Sequence, residues 1–176
     1  MIDKRIAWAI TGAGHFLEEC IETSLHCKRM DIFLSRAAEE VLLMYKLDTQ
    51  IAVPNVRIYE ERKHSAPLVK RFFGGQYSVL VVAPATSNSV AKFVHGISDN
   101  LVTNMFAQAG KSQVPVIVFP TDLAPEMVSP GPNRKPIKVY PRPIDLENTA
   151  KLKTFPGVTV VCNREELEQH LAAYLK

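Results

Sequence analysis

The sequence predicts an α/β protein, a Rossmann-like three-layer domain with a mostly parallel sheet. Short apolar runs, at Arg5 to Thr11, Met30 to Leu34, Ser78 to Ala83, Val114 to Phe119 and Val158 to Val161, alternate with stretches whose apolar residues recur at helical spacing. The longest run, Ser78-Val79-Leu80-Val81-Val82-Ala83, is continuously apolar, the pattern of a strand buried on both faces. Regular alternation of strand and helix calls for crossover connections and therefore for parallel pairing.

The whole chain narrows what such a fold can do. Its 176 residues, 47% apolar and 22% charged, fit a single globular domain spanning 1–176. A net charge of +3 from 21 basic and 18 acidic residues, without a long basic block interleaved with aromatics, gives no footprint for nucleic acid. Cys20, Cys27 and Cys162 are odd in number and not spaced as a zinc or iron-sulfur set, so no metal site is expected. They fit a reducing, cytoplasmic setting. The opening MIDKRIAWAITGAG lacks the long apolar core of a signal peptide, and no run is long enough to cross a bilayer.

Taken in order, the first strand runs into Gly12-Ala13-Gly14 and then a helix from about Phe16 to Leu25. Strand, glycine turn and helix together bring backbone donors and a helix amino terminus to the carboxyl edge of the sheet, where a phosphate can sit. A simple tight turn is the alternative. His15 opens that helix, either as a surface or capping residue or as a group that transfers protons. After the second strand, Ser35 can cap a helix carrying Ala37, Ala38, Val41, Leu42 and Tyr45, and Arg36 can offer charge to an anion there or simply face solvent. Val56 to Tyr59 reads as a short strand, followed by the charged run Glu60-Glu61-Arg62-Lys63 and by His64-Ser65. His64 is the second candidate for proton transfer, because histidine titrates near neutrality.

Ala83 to Asn104 is the most informative stretch. The buried strand reaches Pro84, and Ala85, Thr86, Ser87, Asn88 and Ser89 follow it into a helix through Val90, Phe93 and Val94. Small hydroxyls and amides at a strand's carboxyl end suit hydrogen-bond recognition of a polar, neutral group such as a flavin and its ribityl chain, although the same residues are preferred helix caps. A second polar turn contains Ser98, Asp99 and Asn100. Farther on, 125–143 reads as a long proline-rich basic loop whose Arg134, Lys135, Lys138 and Arg142 either meet an anion or solubilise an exposed segment. A helix over Ile144 to Leu152, a last strand and a closing helix from Arg164 to Leu175, capped by Asn163 with Glu166 three residues later, complete the chain.

The segment PATSNSVAKFVHGISDNLVTNMF resembles the signature of the homo-oligomeric flavoproteins that include the cysteine decarboxylases of coenzyme A and lantibiotic synthesis and the flavin prenyltransferases. Pro84 to Ser89 is similar to its first element and Gly96 to Leu101 to its second, while Ile10 to Gly14 and Ser35 match the layout elsewhere. Within the group, AWAITGAGH and the single-domain length resemble archaeoflavoproteins and flavin-dependent dihydromethanopterin reductases. The resemblance implies FMN held at a subunit boundary in a trimer-based homo-oligomer. It places Thr11, Gly12 and Ser35 at the FMN phosphate, Pro84 to Ser89 at the flavin, and Ser98, Asp99 and Asn100 beside the ribityl chain, with Asp99 expected as a buried carboxylate.

The departures favour redox chemistry. His64 is followed by Ser65 and lies farther upstream than the decarboxylases' histidine, and the region from Pro125 to Pro130 lacks their substrate clamp. The only tryptophan is Trp8. The expected activity is FMN-dependent reduction of dihydromethanopterin or a related pterin. The alternatives are an FMN module that accepts electrons from ferredoxin, and a flavin-dependent decarboxylase or prenyltransferase. The basic loop would face a pterin's acidic tail or an acidic carrier protein.

Overall fold

The computed structural model describes residues 4–54, 56–61 and 71–175. Six parallel strands form the sheet: β1 (Arg5–Ile10), β2 (Met30–Leu34), β3 (Arg57–Glu60), β4 (Tyr77–Ala85), β5 (Val116–Pro120) and, near the end of the chain, β8 (Val158–Val160), in the spatial order β3-β2-β1-β4-β5-β8. Two further strands, β6 (Met127–Pro130) and β7 (Pro136–Val139), form a separate antiparallel hairpin. The helices are α1 (Leu17–Leu25), α2 (Arg36–Tyr45), α3 (Ser87–Val94), α4 (Leu101–Lys111), α5 (Pro143–Leu152) and α6 (Arg164–Leu171).

Strand geometry explains the three layers. Successive side chains point to opposite faces. Ile6, Trp8 and Ile10 of β1 therefore join Val79, Val81 and Ala83 of β4 in one core, under α1, α2 and α6. Ala7 and Ala9 join Leu80 and Val82 in the other, against α3 and α4. Both faces are covered, as the unbroken apolar runs require.

The expected parallel sheet and its strand positions are therefore present. The segment 125–143 is not a continuous loop: Met127 pairs with Val139 and Pro130 with Pro136. Prolines had obscured the hairpin, but Pro130 and Pro136 sit at its strand ends, where a missing ladder donor is tolerated. The hairpin is tied to the body by the Tyr45 hydroxyl, which donates to the carbonyl of Pro130 at 3.0 Å. The apolar residues Leu68, Val69, Phe72 and Phe73 predict a helix that lies largely outside the described residues, with 71–73 helical.

At the amino end of the sheet a charge is fully buried. Asp31 of β2 accepts from Arg5 Nε of β1 at 2.7 Å and from the Tyr77 hydroxyl of β4 at 2.9 Å, with Arg71 Nη1 3.8 Å away. Arg5 also donates to the carbonyl of Met30. Burial is the main reason the Tyr77 phenol is held well above its ordinary pKa, so it remains a donor to Asp31. Removing the carboxylate takes away the buried anion to which Arg5 and the phenol both donate. Asp31→Ala is therefore expected to lower unfolding stability by about 3–5 kcal/mol in urea titrations, and a loss under 1 kcal/mol would show that the network is replaceable.

Candidate functional site

Strand order reverses between β1 and β4, and it is beyond the carboxyl ends of such a pair that open α/β sheets bind ligands. The two ends are fastened together there. The Thr11 hydroxyl donates to the carbonyl of Pro84 at 2.8 Å and accepts from the backbone N–H of Thr86 at 2.9 Å, while the Thr11 N–H also donates to Pro84 at 3.2 Å. One strand in, the buried Trp8 indole donates to the carbonyl of Ala83 at 2.9 Å.

A cavity of about 540 Å³ opens over this junction. Thr11, Gly12, Ser35 and Arg36 line one side, and Thr86, Asn88, Ser89 and Asn100 the other. Its size falls within the roughly 300–1,000 Å³ of small-molecule sites. Gly12 makes the approach possible, since a Cβ there would lie 2.4 Å from Ala37 Cβ and 3.2 Å from the Ala37 carbonyl carbon. The loop from β1 thus sits directly on the amino terminus of α2.

Three helices direct their amino termini toward this region, each with a polar cap. Ser35 Oγ accepts from Ala38 N at 3.1 Å, Thr86 Oγ1 from Ser89 N at 3.2 Å, and Asn100 Oδ1 from Thr103 N at 2.9 Å. Thr86 and Ser89 also share a hydroxyl hydrogen bond of 3.0 Å. Such termini carry partial positive charge and favour anions.

The cavity already contains a negative charge that the sequence reading overlooked. Glu61, just beyond β3, accepts from Arg36 N through Oε2 at 2.8 Å and from Leu101 N through Oε1 at 2.7 Å. One carboxylate therefore bridges the first N–H groups of α2 and α4. In the sequence it belongs to the charged run Glu60-Glu61-Arg62-Lys63. The backbone N–H of Glu61 donates to the carbonyl of Leu34 at 3.0 Å, extending the β2–β3 pairing and carrying the side chain to the cavity.

Other expected site residues fall elsewhere. Pro84 and Ala85 are buried at the end of β4, and Ser87 begins α3 outside the cavity wall. Ser98 and Asp99 are exposed and do not line the cavity. The expected buried carboxylate is instead an exposed partner of Lys92 at 2.8 Å, and that hydrogen bond is the main cause of its lowered pKa. Only Asn100 of this turn reaches the cavity. Ala13 is buried in the turn beyond Gly12. His64 lies outside the described residues.

Gly14 and His15 line a second cavity, of about 400 Å³, on the other side of the glycine turn. Phe16, Tyr45 and the hairpin residues Val128 and Pro130 complete much of its wall. Gly14 is again sterically required, because a Cβ would lie 2.1 Å from the Tyr45 hydroxyl oxygen. Phe16 turns the chain into α1 at φ 61° and stacks on Phe119 with ring centroids 4.6 Å apart. Both His15 ring nitrogens are buried without a protein hydrogen-bond partner among the described residues. Burial holds the imidazole below its ordinary pKa, a shift only partly offset by Asp122. Among the described residues no group of three or more His, Cys, Asp or Glu forms a metal cluster.

The profile of the Flavoprotein family matches residues 1–173. The chain belongs to that family. It is 42% identical over 142 residues to a dihydromethanopterin reductase (acceptor) of Methanosarcina mazei, a match that covers 73% of this chain and 59% of the reductase. The matched part is thus less than two thirds of that relative. An uncharacterized protein of Methanocaldococcus jannaschii is 36% identical over 181 residues, covering 98% of this chain and 96% of its own. Among solved structures, Burkholderia xenovorans DmrB in complex with FMN, described as a cubic protein cage for redox transfer, is 41% identical with a TM-score of 0.86, covering 98% of this flavoprotein and 96% of DmrB.

The His15 shift has a sign that can be measured. Its folded pKa lies below the unfolded value of about 6.5, so the unfolded chain binds the proton first as pH falls. The contribution of neutral His15 is therefore intact above about pH 6.5 and lost progressively below it. Urea unfolding in steps from about pH 7.5 to 5 should show a shallower acid decline for His15→Gln than for the parent chain. Parallel profiles would mean that His15 does not contribute this linkage.

Proposed function

We propose that this flavoprotein is an FMN-dependent reductase acting on dihydromethanopterin or a related pterin. The observation that carries the reading is the polar cavity at the β1/β4 reversal, where glycine-permitted backbone approach, hydroxyls and helix amino termini converge. That donor set fits the phosphate and ribityl portions of FMN. The similarity to the Methanosarcina reductase and to FMN-bound DmrB supports the same cofactor and reaction class.

Bound FMN would supply the hydride or electron transfer. The chain's own work is positioning. Ser35 and the amino terminus of α2 would hold the phosphate, with Arg36 adding positive charge at the mouth. Thr86, Asn88, Ser89 and Asn100 would meet the sugar-like chain and flavin edge, while Thr11 and Gly12 fix the turn that approaches them. His15, half-buried at the second cavity across the glycine turn, is proposed as a group that transfers a proton. His64 is a second proposal for the same role.

The reductase reading is favoured over a carrier that docks an acidic ferredoxin-like protein. Arg134, Lys138 and Arg142 have carboxylate partners within the chain, Glu18, Glu126 and Asp145, at 3.1, 2.8 and 2.8 Å. These pairs reduce the basic field that such docking would use. We place the chain in a homo-oligomer, trimer-based as the family resemblance implies; the apolar, exposed hairpin residues Val128 and Ile137 and nearby Tyr140 and Ile144 support an interface between copies. Its described cysteines are free thiols, in keeping with a cytoplasmic setting, and no described helix is long and apolar enough to cross a membrane.

Purified protein should be yellow or take up FMN, and the anaerobically reduced protein should be reoxidised by dihydromethanopterin. A colourless protein indifferent to FMN would sink the flavin reading. Reduced flavin that persists in the presence of the pterin would instead favour the carrier. Asn88→Ala, through one or two lost hydrogen bonds, and Gly12→Ala, through a Cβ pressed against Ala37, should each lower FMN retention by about tenfold or more. Occupancy equal to the parent chain would refute those two assignments.

A further inference from the structure

We propose that Glu61 is a built-in competitor for the phosphate of the incoming ligand, occupying its helix-terminal donors until a phosphate monoester displaces it. The inference rests on the flavin reading and concerns how that same site is filled. Its starting point is a geometry in which both carboxylate oxygens are used. Oε2 takes the N–H of Arg36 and Oε1 takes the N–H of Leu101, so a single anion satisfies the leading donors of two helices.

Those donors belong to the cavity that the ligand would enter, whose wall includes Glu61, Arg36 and the residues flanking Leu101. A phosphate monoester near neutral pH carries close to two negative charges. It cannot share the two N–H groups with a carboxylate without strong like-charge repulsion in a partly dehydrated cleft. Either the phosphate stays away from this end of the cavity or Glu61 moves aside. Ser35 favours displacement: its oxygen accepts from Ala38 N, which leaves the hydroxyl hydrogen to donate to an anion arriving at the same helix end.

The exchange would also explain why a carboxylate is stationed there at all. Two converging helix termini without an anion leave donors unsatisfied and partial positive charges facing each other. Glu61 relieves both in the ligand-free chain. The anchored backbone, with Glu61 N bonded to Leu34, keeps the side chain within reach for return. The freed donors favour a phosphorylated flavin over an unphosphorylated one, and Glu61 narrows that preference by the strength with which it holds them.

The test compares the apo forms of the parent, Glu61→Gln and Glu61→Ala, each titrated with FMN, riboflavin and inorganic phosphate, with thermal unfolding recorded in the absence of ligand. Removal of the competing charge should tighten FMN and phosphate binding by about 3- to 30-fold, the combined effect of an anion at two helix termini. Riboflavin affinity should stay unchanged, while the ligand-free variants unfold at lower temperature. Opposite movement of stability and FMN affinity is the signature, since a merely structural glutamate would lower both. Weaker binding of FMN and riboflavin alike would overturn the proposal by making Glu61 a direct ligand, and unchanged FMN affinity would overturn it as well. If the parent and both variants bind neither flavin, the flavin reading itself fails and takes this inference with it. If the variants fold too poorly to titrate, Glu61→Asp, with its shorter reach, should still raise FMN affinity, and failure to do so counts against the proposal.

Discussion

The hydroxyl of Thr11 holds together the two strands on which the site depends. It donates to the carbonyl of Pro84 and accepts from the N–H of Thr86, so the last residues of β1 and β4 are joined where the sheet order reverses. Both polar loops leave from this point: the glycine turn on one side and the Thr86 to Ser89 helix start on the other. Thr11 is only 2% exposed, and its hydroxyl hydrogen is already committed to Pro84. Its contribution is therefore construction of the cavity wall, and the donation to ligand falls to other groups.

The two ends of the sheet solve different problems with polar residues. At the amino end, Asp31, Arg5 and Tyr77 satisfy one another, tying β2 to β1 and, across it, to β4, and leaving little for an outside molecule. At the carboxyl end, donors are grouped around open volume, with Gly12 and Gly14 admitting backbone to places where any side chain would collide. Buried polar networks that are complete rigidify a fold, whereas donors facing a cavity select what enters it. The rigid end makes the geometry of the open end reproducible.

Much of this arrangement is legible in the sequence because it follows local rules. Unbroken apolar runs identify strands buried on both faces, and the placement of Gly12, Ser35, Thr86 and Asn88 just after strand ends locates the cavity. The hairpin from Met127 to Val139 was hidden by prolines that occupy its ends and by basic residues such as Arg134, whose partner Glu18 lies in a distant helix. Asp99 was expected as a buried carboxylate because the family resemblance placed it beside the ribityl chain, whereas in the chain it is exposed and pairs with Lys92. Glu61 was missed for a different reason. Nothing in a run of four charges distinguishes the one whose backbone extends a strand pair into the cavity.

Capping and ligand binding looked like rival explanations for the hydroxyls and amides around Ala83 to Asn104, yet the geometry makes them complementary. A cap uses an acceptor: Ser35 Oγ, Thr86 Oγ1 and Asn100 Oδ1 each receive an N–H from their own helix. That bond fixes the rotamer, and a side chain held in one rotamer has less entropy to lose when a ligand arrives. The donor half of the group is not consumed by capping, since a hydroxyl retains its hydrogen and a carboxamide its NH2. Ser35 and Asn100 can thus stabilise a helix and present a donor to the cavity at once. Thr86, whose hydroxyl is also shared with Ser89, is the more internally committed of the three. The preference of these residue types for helix starts is then part of how the binding surface is preorganised, because the helix supplies the fixed frame from which each remaining donor points.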